Sequence, residues 1–250
     1  MTFPMIALLQ AGYAEPHAAR YDAATMGMFV LIIAIGVIGF IVQARLQSVF
    51  KKYSKVQFPG GLTGAEVAEK MLRDNNIHNV KVTHVGGHLT DHFNPQTMTV
   101  NLSDSVYSSS SVAAAAVAAH ECGHAVQHAH AYAPLKMRSS LVPVISFASN
   151  WMMWVLLIGM FTLNVFPQIM LFGIILFAAT TLFSFITLPV EIDASRRAVK
   201  WLSEAGVTNN RNYGAAVSAL RSAAYTYVVA ALGSLATLLY YVMIFLGRRD

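Results

Sequence analysis

Residues 139–190 read SSLVPVISFASNWMMWVLLIGMFTLNVFPQIMLFGIILFAATTLFSFITLPV, 52 positions without one Asp, Glu, Lys or Arg. A bilayer core of about 30 Å takes roughly 20 helical residues, so this tract holds two membrane spans joined by a short connection. Two shorter uncharged tracts, 23–44 and 222–247, hold one span each. Four helices are therefore expected to cross the membrane. The composition agrees: 12% of the 250 residues are charged and 56% are hydrophobic, where a soluble globular protein carries about 25% charged residues. An ordinary cytosolic enzyme is excluded. The single cysteine, Cys122, rules out an intramolecular disulfide.

The formal charge of +5 is explained by topology. Nine basic residues lie between the first and second spans, from Arg45 to Arg138, and five follow the third: Arg196, Arg197, Lys200, Arg211 and Arg221. The other side carries only Arg20, Arg248 and Arg249, with none in the Asn164–Gln168 connection. The positive-inside rule makes both basic loops cytoplasmic. No basic run is interleaved with exposed aromatics, so nucleic acid is not expected as a partner. Met1–Ala11 is apolar but lacks a basic leader, and it does not read as a signal peptide.

The fold expected is a mainly α membrane protein with a small α+β zincin-like cytoplasmic segment. The parts are an extracytoplasmic segment 1–25, a span 26–43, a cytoplasmic segment 44–142, a hairpin of spans 143–189, a cytoplasmic helix 190–222 and a last span 223–247. Within 44–142, Thr63-Gly-Ala-Glu66 is a capping box opening a helix that runs to about Asn75. Val80–Val85 and Thr97–Leu102 alternate as half-buried strands do, with Gly86, Gly87, Asn94 and Pro95 in turns between them. The run Ser108–Ser111 supplies an N-cap for an alanine-rich helix from Val112 to about Ala131.

That helix contains His120-Glu121-Cys122-Gly123-His124, an HExxH pattern. Residues four apart share a helix face, so two imidazoles can meet one metal ion, while Glu121 is one step round, placed to act as a general base. Zinc suits two imidazoles and a carboxylate with a fourth position left open, and it lowers the pKa of a bound water toward ~7. One Zn2+ ion is expected.

Three residues compete for the third ligand position. His128 lies ~12 Å along the helix axis from His120, too far to share an ion. His130 has the metzincin spacing, with Met137 beyond it, but that arrangement needs a sharp turn where this chain has Gln127 in a helical pattern. Glu191, just after the third span, is the gluzincin choice, and the lysine and arginine distribution puts it in the same compartment as His120 and His124. The reading favours Glu191 and keeps His130 as its rival.

Asp193 is ~200° round the helix from Glu191, so the two cannot both face the ion; a salt bridge to Arg196 or Arg197 suits it better. Cys122 reads as a packing residue. His84, His88 and His92 read as polar loop residues. Thr97–Leu102 is either an ordinary sheet strand or the edge strand to which a substrate peptide adds. Tyr213, Tyr225 and Tyr227 are candidate oxyanion donors of equal standing.

The zinc helix His120–His128, the upstream Leu89-Thr-Asp-His-Phe-Asn-Pro95, the later Leu188-Pro-Val-Glu-Ile-Asp-Ala-Ser-Arg-Arg197 and Thr226-Tyr-Val-Val-Ala230 together resemble the YugP-like neutral zinc metallopeptidases of bacterial membranes, over roughly Phe40 to Tyr241. The resemblance implies a zinc-dependent membrane peptidase with His120 and His124 as ligands and Glu121 as catalytic base. The arrangement is more distantly similar to HtpX-type membrane peptidases, in which a Glu-x-x-x-Asp motif supplies the third ligand. Glu191 matches that Glu, whereas the Asp position is held by Ser195.

The function expected is that of a metalloendopeptidase in the bacterial inner membrane, active on its cytoplasmic side against membrane-associated or unfolded polypeptides. Two alternatives are a non-catalytic zinc-stabilised scaffold or chaperone, for which a fourth protein ligand such as His92 or Asp193 would argue, and a site-2-type intramembrane protease. The second fits poorly with the polar character of residues 104–136 and the lack of an Asp-Gly partner in a span.

Overall fold

The computed structural model describes residues 16–57, 60–209 and 212–247. The reading of Met1–Ala11 and the residues Arg211, Arg248 and Arg249 lie outside that range. In chain order the elements are α1 (Pro16–Tyr53), α2 (Gly64–Asp74), β1 (Lys81–Val85), β2 (His92–Asn94), β3 (Thr99–Ser103), α3 (Asp104–Tyr107), α4 (Val112–Ala129), α5 (Ala133–Phe161), α6 (Pro167–Glu204) and α7 (Tyr213–Gly247). The protein is mainly α, with four helices long and apolar enough to cross a membrane: Ala23–Tyr53, Ala133–Phe161, Pro167–Glu204 and Tyr213–Gly247. The helix bearing His120, α4, is not among them.

The described residues fall into two compact units, one drawn from 16–37, 146–181 and 232–247, the other from 38–145 and 182–231. In the first, α5 and α6 meet through a five-residue turn, with Pro167 at the first position of α6, where its missing N–H costs nothing. Their backbones touch at Gly159, where a Cβ would lie 2.6 Å from Met170 Cα. Leu156, Met170 and Ile174 form the buried centre there, while Trp151, Trp154 and Phe161 stay exposed, as suits helices solvated by lipid tails.

The second unit holds the three-stranded sheet, ordered β1-β3-β2, with β1 parallel and β2 antiparallel to β3. Of its two readings, Thr97–Leu102 takes the ordinary sheet strand and is not an edge: β3 is the central strand, with Val100 and Leu102 fully buried, and β2 is the edge neighbouring α4. β2 itself was not foreseen, because three residues among Gly, Asn and Pro are too short to show a period of two. The stretch 190–222 is not one helix either. It comprises the end of α6, a turn and the start of α7. The break falls at Gly206 (φ +66°), where the Thr208 N–H donates back to the Leu202 carbonyl at 2.9 Å, as in a glycine-terminated helix.

Both caps form as read. The Thr63 N–H donates to Glu66 Oε2 at 2.7 Å, the Glu66 N–H donates to Thr63 Oγ1 at 3.3 Å, and Ser111 Oγ accepts from the Ala114 N–H at 3.2 Å. Helix α4 is buried along nearly its whole length. Its alanines explain how: with only a methyl group to accommodate, α2 packs closely along one side. The Trp201 indole N–H of α6 donates to Asp74 at the end of α2 at 3.1 Å, fixing α6 to the same core. Thr63→Ala, which removes the capping oxygen, is expected to lower the unfolding free energy by about 1 kcal/mol, read as a lowered thermal midpoint of the detergent-solubilised protein.

Candidate metal centre

Helix α4 carries His120 and His124 one turn apart, with ring centroids 4.8 Å apart and planes at 80°. The third group arrives from α6. Glu191 Oε2 lies 3.3 Å from His120 Nε2 and 3.6 Å from His124 Nε2, and the potential ligand atoms of the three residues all lie within 4.8 Å of one another. Glu191 is 3% exposed, and its Oε2 has no hydrogen-bond partner of acceptable geometry. A buried carboxylate oxygen without a hydrogen bond, facing two imidazole nitrogens, is costly unless a cation completes the group. The donor set, two imidazoles and one carboxylate, fits zinc. Burial alone would lower the pKa of His124, but its contact with Glu191 and the charges of Glu121 and Glu191 outweigh that and raise it above the ordinary imidazole value.

What lets Glu191 reach the histidines is a backbone contact. At Gly123 a Cβ would stand 2.6 Å from the Ala194 carbonyl oxygen and 3.1 Å from its Cα. Only a glycine at this point of α4 permits the α6 backbone to approach so closely. The ring nitrogens turned away from the centre are both engaged: His120 Nδ1 lies 3.1 Å from Ser195 Oγ, and His124 Nδ1 lies 3.0 Å from Gln127 Oε1. Ser195 thus occupies the place that a carboxylate holds in the Glu-x-x-x-Asp pattern.

Glu121 is nearly buried and accepts the Phe93 N–H of β2 through Oε2 at 3.1 Å. It faces a cavity of about 450 Å³ whose wall also includes the three clustered residues, His92, Phe93, Arg138 and Tyr227. The Arg138 Nη2 stands 3.9 Å from Glu191 Oε1.

The competing residues sort themselves. His130 caps α4, with Nδ1 2.9 Å from the Val126 carbonyl, and stays outside the group, as does His128, whose ring packs against Phe93. Asp193 points elsewhere, accepting from Arg197 Nε at 2.6 Å. His84 pairs with Asp104 at 2.6 Å, and the His92 ring is held between the Thr90 carbonyl and Asn101. Cys122 is fully buried against the Ala68 carbonyl, and burial pushes its thiol pKa far up. Among the three tyrosines only Tyr227 lines the cavity; Tyr225 is exposed and Tyr213 borders a different depression beside Arg196.

Gln127, Gly123 and Arg138 escaped the sequence reading as parts of the site. Helical spacing could have flagged the first, since it lies three residues past His124 on the same face, as Ser195 lies four past Glu191.

A His-His-Glu group in a chain with four helices apolar enough to cross a membrane is the kind of candidate metal centre that membrane metallopeptidases carry, and the sequence comparisons point the same way. Residues 28–246 match the family described as "Putative neutral zinc metallopeptidase", and the chain belongs to that family. It is 44% identical over 225 residues to "Putative membrane protease YugP" of Bacillus subtilis (strain 168), an alignment covering 89% of this chain and 98% of that protein. No solved structure matches the chain.

Gly123→Ala forces α4 and α6 apart at the point where the group assembles. The purified variant is expected to retain well under half the metal of the wild type by elemental analysis. Gly86→Ala, where an added Cβ meets nothing within 4 Å, is expected to retain all of it.

Proposed function

We propose that the chain is a zinc-dependent metalloendopeptidase of gluzincin type, holding one Zn2+ through His120, His124 and Glu191. It acts at the cytoplasmic face of a bacterial inner membrane on membrane-associated or unfolded polypeptides. The observation that carries this reading is the unpartnered Glu191 Oε2 between two imidazoles, in the wall of a cavity that also presents Glu121. When bound there, zinc would supply Lewis acidity, lowering the pKa of a coordinated water and polarising a peptide carbonyl.

The chain's own residues account for the rest. Glu121 takes the proton of the attacking water and delivers it to the leaving amine, so one carboxylate serves first as base and then as acid. The Phe93 N–H holds that carboxylate at the cavity wall. The Tyr227 hydroxyl is the donor best placed to meet charge developing on the carbonyl oxygen, since it alone of the three candidate tyrosines borders the cavity. An extended peptide would lie along β2, the sheet edge beside Glu121. His92 and Asp193, the residues able to make a closed four-ligand site, are both hydrogen-bonded to other groups, which supports an open fourth position. The cytoplasmic assignment rests on the lysines and arginines of 44–142 and 190–222.

The test is zinc content together with casein-type proteolysis on the same detergent-purified samples. Wild type is expected to hold about one zinc and Glu191→Ala to lose it, whereas Glu121→Gln keeps zinc without cleaving. Full zinc in Glu191→Ala would reject the ligand set. Zinc in a wild type that cleaves no substrate would favour the scaffold reading. Tyr227→Phe is expected to lower kcat by roughly 100- to 1,000-fold with zinc retained; an unchanged kcat removes Tyr227 from the mechanism.

A further inference from the structure

We propose that Gln127 is the positioning residue of the metal centre: one buried amide dictates which nitrogen of His124 faces Glu191 and ties the backbone beside Glu191 to the same point. The inference rests on the reading of His120, His124 and Glu191 as ligands. Gln127 is 0% exposed and lies on the His124 face of α4. One end of its amide sits 2.8 Å from the Val190 carbonyl oxygen and 2.8 Å from Asp193 Oδ2. A carbonyl and an ionised carboxylate only accept, so that end is the NH2, and both of its protons are used.

The amide oxygen is thereby turned to His124, 3.0 Å from Nδ1. It can only accept, so Nδ1 carries the ring proton. A neutral His124 protonated on Nδ1 has its free lone pair on Nε2, the atom 3.6 Å from Glu191 Oε2. The opposite tautomer would set two lone pairs against each other at Nδ1 and aim an N–H where a ligand lone pair is needed. Ser195 gives His120 no such instruction, because a hydroxyl donates or accepts with equal ease.

The same amide reaches the carboxylate ligand. Val190 is bonded directly to Glu191, so the donor at its carbonyl holds the α6 backbone against α4 one residue from the ligand. Asp193 is itself anchored by Arg197 Nε at 2.6 Å, so the acceptor that orients the amide stays charged and in place. Loss of the Gln127 side chain would leave His124 free to adopt either tautomer, with the Val190 carbonyl and the ring N–H buried and unmet.

The experiment uses the full chain in detergent, stripped of metal. Zinc affinity is measured by chelator competition, the ligand geometry by the visible spectrum of the cobalt(II)-loaded protein, and folding by far-UV circular dichroism. Gln127→Met fills the same volume without hydrogen bonds and is expected to bind zinc about 10- to 100-fold more weakly, with an altered cobalt spectrum and unchanged dichroism. Asp193→Ala, at a partly exposed position, removes one of the two acceptors that orient the amide and is expected to show a smaller loss.

Wild-type affinity and spectrum in Gln127→Met overturn the proposal. Should that variant not fold, unchanged affinity in Asp193→Ala overturns it. A wild type whose zinc binding survives His120→Ala sinks the ligand reading itself. Binding lost in His120→Ala but kept in Gln127→Met sinks this inference alone.

Discussion

Two helix backbones touch at Gly123 and Ala194, and the rest of the centre follows from that contact. With a Cβ on Gly123 excluded at 2.6 Å from a carbonyl oxygen, the α4 and α6 backbones are in contact there, and a glutamate side chain on one spans the gap to imidazoles on the other. The contact also explains the polar arrangement around it. Polar atoms buried at this contact find partners within the helix pair: Ser195 for His120, and Gln127 for both His124 and the Val190 carbonyl. The oxygen left over, Glu191 Oε2, is the one that faces both rings.

The supports of the two histidines are uncharged, a hydroxyl and an amide. A charged carboxylate behind an imidazole would strengthen the ring as a donor but would bring a further negative charge into a pocket that already holds Glu121 and Glu191. Here the carboxylate Asp193 is one bond network removed, acting on Gln127 and neutralised by Arg197. Arg138 at 3.9 Å from Glu191 Oε1 adds a positive charge on the cavity side, so the centre is framed by opposite charges at its rim and neutral groups behind its rings.

Much of this was legible in the residues. Uncharged tracts mark the apolar helices because lipid leaves no alternative for charge, and the capping box at Thr63 and the serine before α4 state their helix starts locally. The pairing of His120 with His124 is likewise local, fixed by helical pitch. Glu191 could be inferred only by combining its residue type with charge topology, and the structure brings it to the two rings. What stayed illegible depends on contacts between distant segments. β2 is three residues long and exists because β3 offers it a ladder; the central place of β3 follows from that pairing and not from its own pattern. The turn at Gly206 divides a stretch that reads as continuous, since one glycine does not announce a positive φ. Gln127 reads as an ordinary helix residue until Val190, 63 positions later, lies beside it.

Chain order has a consequence for biosynthesis. Sixty-six residues lie between His124 and Glu191, and most of them belong to α5 and α6, the two apolar helices between. The histidines therefore leave the ribosome seconds before their carboxylate partner, at elongation rates of roughly 5–20 residues per second. During that interval α4 holds two of the three candidate ligands and Glu121, but not the complete His-His-Glu group. The group closes only once the helical hairpin has been made and α6 has docked, so an unfinished chain carries no assembled His-His-Glu centre.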